Sequence, residues 1–381
     1  MKWLHLGILL FLFSTLAFAQ AAPETLPAAE PLKIETEAPT KNPIKLRLYN
    51  SGYAYNGEND AWAETRVTLT YFENLFEPTL LIDINPEIAF KVGAGLLIPF
   101  DQEQKVSRYY PVVQTKLKRH TWSFELGSLD GNHNYPAPLL DPLTSLVPQI
   151  RLGGVNQIPV VNETFPTGKH SHGRYEYGFS LKWFDTEADG ELYFNWQLPD
   201  NTNHRERFDI GLIHNASRSP FPYYLGLHYW HNGGHENPHP IEITENYTLG
   251  LGLMNDTYTA LYLASYLIPD RSQSQNNVFG HALYFAYRWW LWGWQIQPQL
   301  FVSDELRVAA NRFVSVEGDP FFRVPLYIGL NISKEWRLVE ALQIKLSFVN
   351  GFYQTDRSKF NPKIPRYDQM VRVDFMYDIN L

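Results

Sequence analysis

Cysteine is missing from all 381 residues. No disulfide, thiolate metal centre or cysteine nucleophile is available, and no lipid-modified cysteine follows the N-terminal leader. A basic surplus is missing as well. The formal net charge is -8, which argues against a nucleic-acid-binding surface. Beyond the first twenty residues there is no apolar run long enough for a membrane helix, and the mean hydropathy is -0.30, so a helical membrane protein is excluded. No repeat of fixed period is present.

What the chain does have is aromatic side chains, at 15%, and a pervasive alternation of apolar and polar residues. The opening "MKWLHLGILLFLFSTLAFAQ" has Lys2, an apolar run from Leu6 to Leu16 and Ala17-Phe18-Ala19. That order describes a secretory signal peptide, residues 1–19. Residues 20–43 are rich in Ala, Pro, Glu and Thr and read as a flexible leader. From residue 44 to 381 period two dominates. In "RYEYGFSLKWFDTEADGELYFNWQL", Tyr175, Tyr177, Phe179, Leu181 and Trp183 share one face, and Glu176, Gly178, Ser180 and Lys182 the other. After "DTEADG", Leu192, Phe194, Trp196 and Leu198 alternate with Glu191, Tyr193, Asn195 and Gln197.

A soluble sandwich also alternates, but three features favour a transmembrane barrel. The apolar face is crowded with large side chains, while the other holds Gly, Ser, Lys, Glu and Gln. In "GWQIQPQLFV", Gln295, Gln297 and Gln299 need water or a polar lumen. Connections alternate short and long along the chain, as in barrels with short periplasmic turns and long external loops. Tryptophans crowd one tight turn, "YRWWLWGW", as interfacial girdles do. The expectation is an all-β, antiparallel, up-and-down transmembrane β-barrel of about sixteen strands. Residues 73–87, "ENLFEPTLLIDINPE", sit where a short turn is needed, and about fourteen strands is the alternative.

The last residues, "MVRVDFMYDINL", alternate strictly to the end. With the signal peptide and the loop order, they resemble the closing strand of Gram-negative outer-membrane β-barrel proteins, porin-like but of no identified subfamily. That resemblance implies an outer-membrane location. It also implies that Val373, Phe375, Tyr377, Ile379 and Leu381 form the signal read by the barrel-assembly machinery. Leu381 replaces the usual terminal Phe or Trp. The closing strand should pair with the first, near "KLRLYNSGY", with Arg372 and Asp374 facing the lumen.

Function is then expected to be passive diffusion of small hydrophilic solutes, or export of a polymer, through a water-filled lumen. The alternative is a non-conducting barrel used for adhesion or envelope organisation. Porin-like barrels imply outer-membrane lipid as surroundings and a homo-oligomer by analogy; no nucleic acid or cofactor is expected. The long external loop, residues 128–173, is apolar and is expected to fold into the lumen or cap its mouth. Lumen and constriction candidates are Arg66, Lys116, Lys118, Glu125, Asp130, Asp141, Arg151, Glu163, Glu176, Lys182, Arg323, Lys345, Arg372 and Asp374.

"HYWHNGGHENPHP" gathers His228, His231, His235 and His239. As metal ligands they are weak candidates, because a strand running into Gly-Gly does not place them on one face. Outer-membrane phospholipases and lipid A deacylases carry a His with Ser two residues later. Here His228 is followed by Tyr229 and Trp230, so the serine is missing, and parity turns His228 to the lumen. On that ground no enzyme is expected. A siderophore-type transporter, which needs a plug and about 22 strands, and an autotransporter, which needs a passenger domain, are also not expected.

Overall fold

The computed structural model describes residues 43–59, 67–99, 108–130, 175–198, 206–233, 243–268, 271, 272, 275, 277–304, 326–339, 341–354 and 366–381. The strands lie within one compact unit, Lys41–Leu381. Residues 1–42, expected as signal peptide and leader, and residues 131–173 of the expected long loop lie outside the described residues.

Seventeen strand segments form one antiparallel sheet. In chain order they are β1 (Ile44–Asn59), β2 (Val67–Asn85), β3 (Ile88–Pro99), β4 (Arg108–Lys118), β5 (Trp122–Asp130) and β6 (Tyr175–Phe184). Then come β7 (Asp189–Leu198), β8 (Glu206–Asn215), β9 (Tyr224–Gly233), β10 (Thr244–Met254), β11 (Tyr258–Ile268) and β12 (Val278–Tyr287). The last are β13 (Trp289–Leu291), β14 (Trp294–Asp304), β15 (Leu326–Val339), β16 (Leu342–Gln354) and β17 (Arg366–Asn380). β12 and β13 both pair with β14 and form one stave interrupted at Arg288. Each stave pairs with the next, and β17 pairs back with β1, so the sheet is a closed 16-strand up-and-down barrel. Closure leaves no unpaired edge, which is the condition for a sheet to cross a bilayer.

The seam forms between the strands expected, β17 and β1. Arg47 lies opposite Asp378 and Tyr49 opposite Met376. Arg47 donates from Nε and Nη2 to the two carboxylate oxygens of Asp378, both at 2.7 Å. Tyr49 Oη donates to Asp374 Oδ1 at 2.7 Å. Arg372 reaches the same carboxylate from Nε and Tyr49 Oη from Nη2, each at 2.7 Å. These polar groups face inward, whereas Val371, Phe375 and Tyr377 face out and stay exposed.

The outward face carries Phe72, Val92, Leu212, Leu227, Leu251, Leu283, Ile328 and Phe352, all exposed. Only an apolar surrounding medium covers such a band, so the barrel is of outer-membrane type. One rim has the short connections, the start of β1 and the end of β17, which makes it periplasmic. There Trp292 (φ 51°) and Gly293 (φ 76°) form a two-residue hairpin turn of the left-handed kind that matches strand twist. Lys334 Nζ donates to the Trp292 carbonyl at 3.1 Å and lies over the Trp294 and Trp336 rings.

The structure departs from expectation in three places. Residues 73–85 are strand, not turn. Pro78 costs one ladder donor, but inward Glu77 is buried and accepts from Tyr110 Oη at 2.9 Å. The two-residue turn comes later, where Asn85 Oδ1 accepts from the N–H groups of Glu87 and Ile88. Segment "WWL", expected within a tight turn, continues a strand. The inner face is also not uniformly polar. Tyr193, Ile213, Tyr224, Leu261, Leu263, Tyr284, Phe301 and Tyr327 form a buried inward cluster. The Tyr327 ring lies where a Cβ at Gly329 or Gly351 would be, at 2.6 and 2.5 Å.

Candidate functional site

Most described lumen candidates occupy the inner face in local pairs rather than one ring. Lys116 Nζ donates to Glu125 Oε1 at 2.5 Å, and Gln114 Nε2 donates to Glu125 Oε2 at 3.3 Å. Lys182 Nζ is 3.6 Å from Glu191 Oε1, which also accepts from Ser180 Oγ at 2.7 Å. Arg372 and Asp374 belong to the seam. Lys118 and Lys345 stay exposed. Arg66, Asp141, Arg151, Glu163 and Arg323 lie outside the described residues, as do the side chains of Asp130 and Glu176.

The histidines divide across the wall. His228 points inward, and its Nε2 is 3.3 Å from Asp209 Oδ2. Asn195 Nδ2 donates to the other Asp209 oxygen at 2.7 Å. His231, three residues on, points outward to the lipid side. His235 and His239 lie outside the described residues. Among the described residues no cluster of three His, Asp or Glu side chains could hold a metal.

His231 instead joins a group that the sequence did not bring together. Its Cα partner across β9 and β10 is Glu245, and one row toward the periplasmic rim Tyr229 partners Tyr247. All four face outward beside the external rim. His231 Nδ1 is 3.4 Å from Glu245 Oε1 and 3.2 Å from Tyr229 Oη. Tyr229 Oη donates to Glu245 Oε1 at 2.8 Å, and Tyr247 Oη donates to Glu245 Oε2 at 3.4 Å. Arg271, in the connection after β11, donates from Nη2 to Glu245 Oε1. That hydrogen bond, the largest influence on Arg271, raises its pKa and keeps it charged. Glu245 is buried under these donors, so its charge is matched. The Phe208 ring packs 4.9 Å from the His231 ring. A Cβ at Gly233 would stand 2.6 Å from His231 Nε2, so glycine there keeps that nitrogen clear of a side chain.

Below the group lies an apolar groove of about 440 Å³ in the outer wall. Tyr229 and Tyr247 belong to both, and Leu212, Leu227, Leu249 and Ala264 continue the lining. A charged, hydrogen-bonded group at the headgroup level thus sits over a slot at the acyl-chain level. The available clue was parity, which separates His231 from His228. Its partners Glu245 and Arg271 required the register.

Residues 34–359 match the family described as Lipid A 3'-O-deacylase-type. The chain belongs to that family. No curated protein matches the sequence. Among solved structures it is similar to OccAB4 of Acinetobacter baumannii, at 9% identity and a TM-score of 0.44, covering 88% of this chain and 98% of that one. It is similar to OpdK of Pseudomonas aeruginosa, solved with vanillate, at 9% identity and 0.45, covering 88% and 98%. It is also similar to a mutant of the Rh. blastica porin, at 11% and 0.41, covering 88% and 100%. The barrel assignment rests on the strand pairings, not on these distant likenesses.

Family membership corrects the expectation that the chain is not an enzyme, because a deacylase-type family is a family of enzymes. The premises of that expectation hold: Trp230 stands where a serine was sought, and His228 faces inward. The error was to treat one missing His-x-Ser arrangement as the absence of all catalytic groups.

Proposed function

We propose that the barrel hydrolyses an ester-linked acyl chain of a lipid A-type glycolipid in the external leaflet, from the outer face of its wall. The observation that carries this reading is the His231–Glu245–Tyr229–Arg271 group at the external rim, directly above an apolar groove. His231 Nδ1 lies 3.4 Å from Glu245 Oε1 and 3.2 Å from Tyr229 Oη, acceptors that favour the tautomer with the proton on Nδ1 and leave Nε2 able to take a proton. Water attacks the ester carbonyl while Nε2 removes its proton. The same proton then passes to the departing alkoxide, giving a fatty acid and an alcohol. Arg271 has further N–H donors for the developing oxyanion or for a headgroup phosphate. The test is release of fatty acid from bilayers containing lipid A. Release by the parent barrel that is lost in His231→Ala supports the reading; equal release by both would sink it.

A second reading is passive diffusion of small hydrophilic solutes. It is favoured by the inward polar residues Ser180, Glu191, Asn195, Asp209 and Thr248. Planar-bilayer conductance tests it independently of hydrolysis. In both readings the outward residues of β17 remain the proposed signal for the barrel-assembly machinery.

A further inference from the structure

The outer wall around β8 to β12 is built in rows set by the strand register. One row holds Ile210, Tyr229, Tyr247, Tyr266 and Phe279. The next row toward the periplasmic rim holds Leu212, Leu227, Leu249, Ala264 and His281. The row beyond has Leu251, Tyr262 and Leu283. Ala264 is the smallest side chain in its row, standing between Leu249 and His281, with large groups above and below. The groove exists where that side chain is short. Tyr229 and Tyr247 line it and also hydrogen-bond Glu245, the partner of Arg271, whose side chain is half exposed and carries a positive charge.

We propose that the notch over Ala264 seats one acyl chain of an anionic lipid of the external leaflet, with Arg271 at its headgroup, and that Ala264 determines whether the chain fits. The seat deepens the hydrolytic reading, on which it rests for its catalytic meaning, but retention of lipid is measurable without catalysis. A volume of about 440 Å³ is in the range of a single-ligand site. Van der Waals packing along the chain sets the fit, because the surrounding lipid is as apolar as the groove, and the Arg271 fork supplies the preference for a phosphate.

The experiment is native mass spectrometry of the full-length barrel in detergent. The probe is an equal mixture of phosphatidylglycerol and diacylglycerol with the same acyl chains. The parent protein should retain one phosphatidylglycerol. Ala264→Phe, which fills the notch, should lose it by about tenfold or more, with unchanged heat-modifiable gel mobility. Arg271→Gln should retain both lipids equally. His231→Ala should retain phosphatidylglycerol as the parent does. Equal retention by Ala264→Phe and parent, or no retention by the parent, overturns the seat. Loss of retention in Ala264→Phe with no hydrolysis by any form would leave the seat standing and remove only the hydrolytic reading.

Discussion

His231 and Glu245 face each other across β9 and β10 on the lipid side of the wall, Nδ1 to Oε1 at 3.4 Å. A matched carboxylate and imidazole on that side are costly unless they serve a purpose there. If they form a general-base pair, His231→Ala should lower ester hydrolysis by about 10²-fold or more. Glu245→Gln should keep the fold but lose most of the rate, since the amide no longer fixes the imidazole. Gly233→Val should act like His231→Ala, because its side chain would occupy the space over Nε2. The readout is fatty-acid release per folded barrel.

The seam gives a stability prediction. Asp374 accepts from both Tyr49 and Arg372, and these groups are largely buried. Asp374→Ala strands a buried guanidinium and should cost about 2–3 kcal/mol. Arg47→Ala breaks a pair that is about a third exposed, and solvent screening limits its cost to about 1 kcal/mol. The temperature at which the heat-modified gel band appears should fall more for Asp374→Ala.

Tyr327 packs over two inward glycines. Gly351→Val should destabilise the barrel by about 1–3 kcal/mol through overpacking. Adding Tyr327→Ala should recover part of that loss, because the two side chains compete for one space. Denaturant midpoints of the two single variants and the double variant check the coupling.

The turn between β6 and β7 gives a pH prediction. Asp185 Oδ1 accepts from the N–H groups of Ala188 and Glu187, at 2.6 and 2.7 Å. Those bonds hold its carboxyl below the usual carboxylate range. A lowered folded pKa means the stabilisation is fully present above the unfolded value, about pH 4, and is lost as pH falls through the lower folded value. Asp185→Asn should therefore flatten the acid limb of the stability profile. Unfolding midpoints taken from neutral pH into acid would reveal it.

The barrel, its seam and the side on which most candidates stand were legible because alternation with period two is local information. Lys116, Glu125, Lys182, Arg372 and Asp374 all fall on the face that parity assigns. What was not legible depends on contacts between strands. Glu73, Glu77 and Pro78 look like a turn until Tyr110, on β4, supplies a donor for Glu77. The histidine run holds His228, His231, His235 and His239, which a strand does not gather on one face. The strand instead divides His228 from His231, and Glu245 and Arg271 join His231 only through the register of β9 with β10 and the connection that follows β11.

Because Arg47 is joined to Asp378, the ring cannot close until the final residues have been delivered. Neighbouring hairpins are local and can form early, but the closing contact spans almost the whole chain, which makes it slow. A chain cut short before β17 would therefore be a curved ribbon with two bare, hydrogen-bonding edges rather than a slightly smaller barrel. Such ribbons add to one another edge to edge, so loss of β17 and the leucine that follows it, Arg366 to Leu381, should turn a membrane protein into an aggregating one.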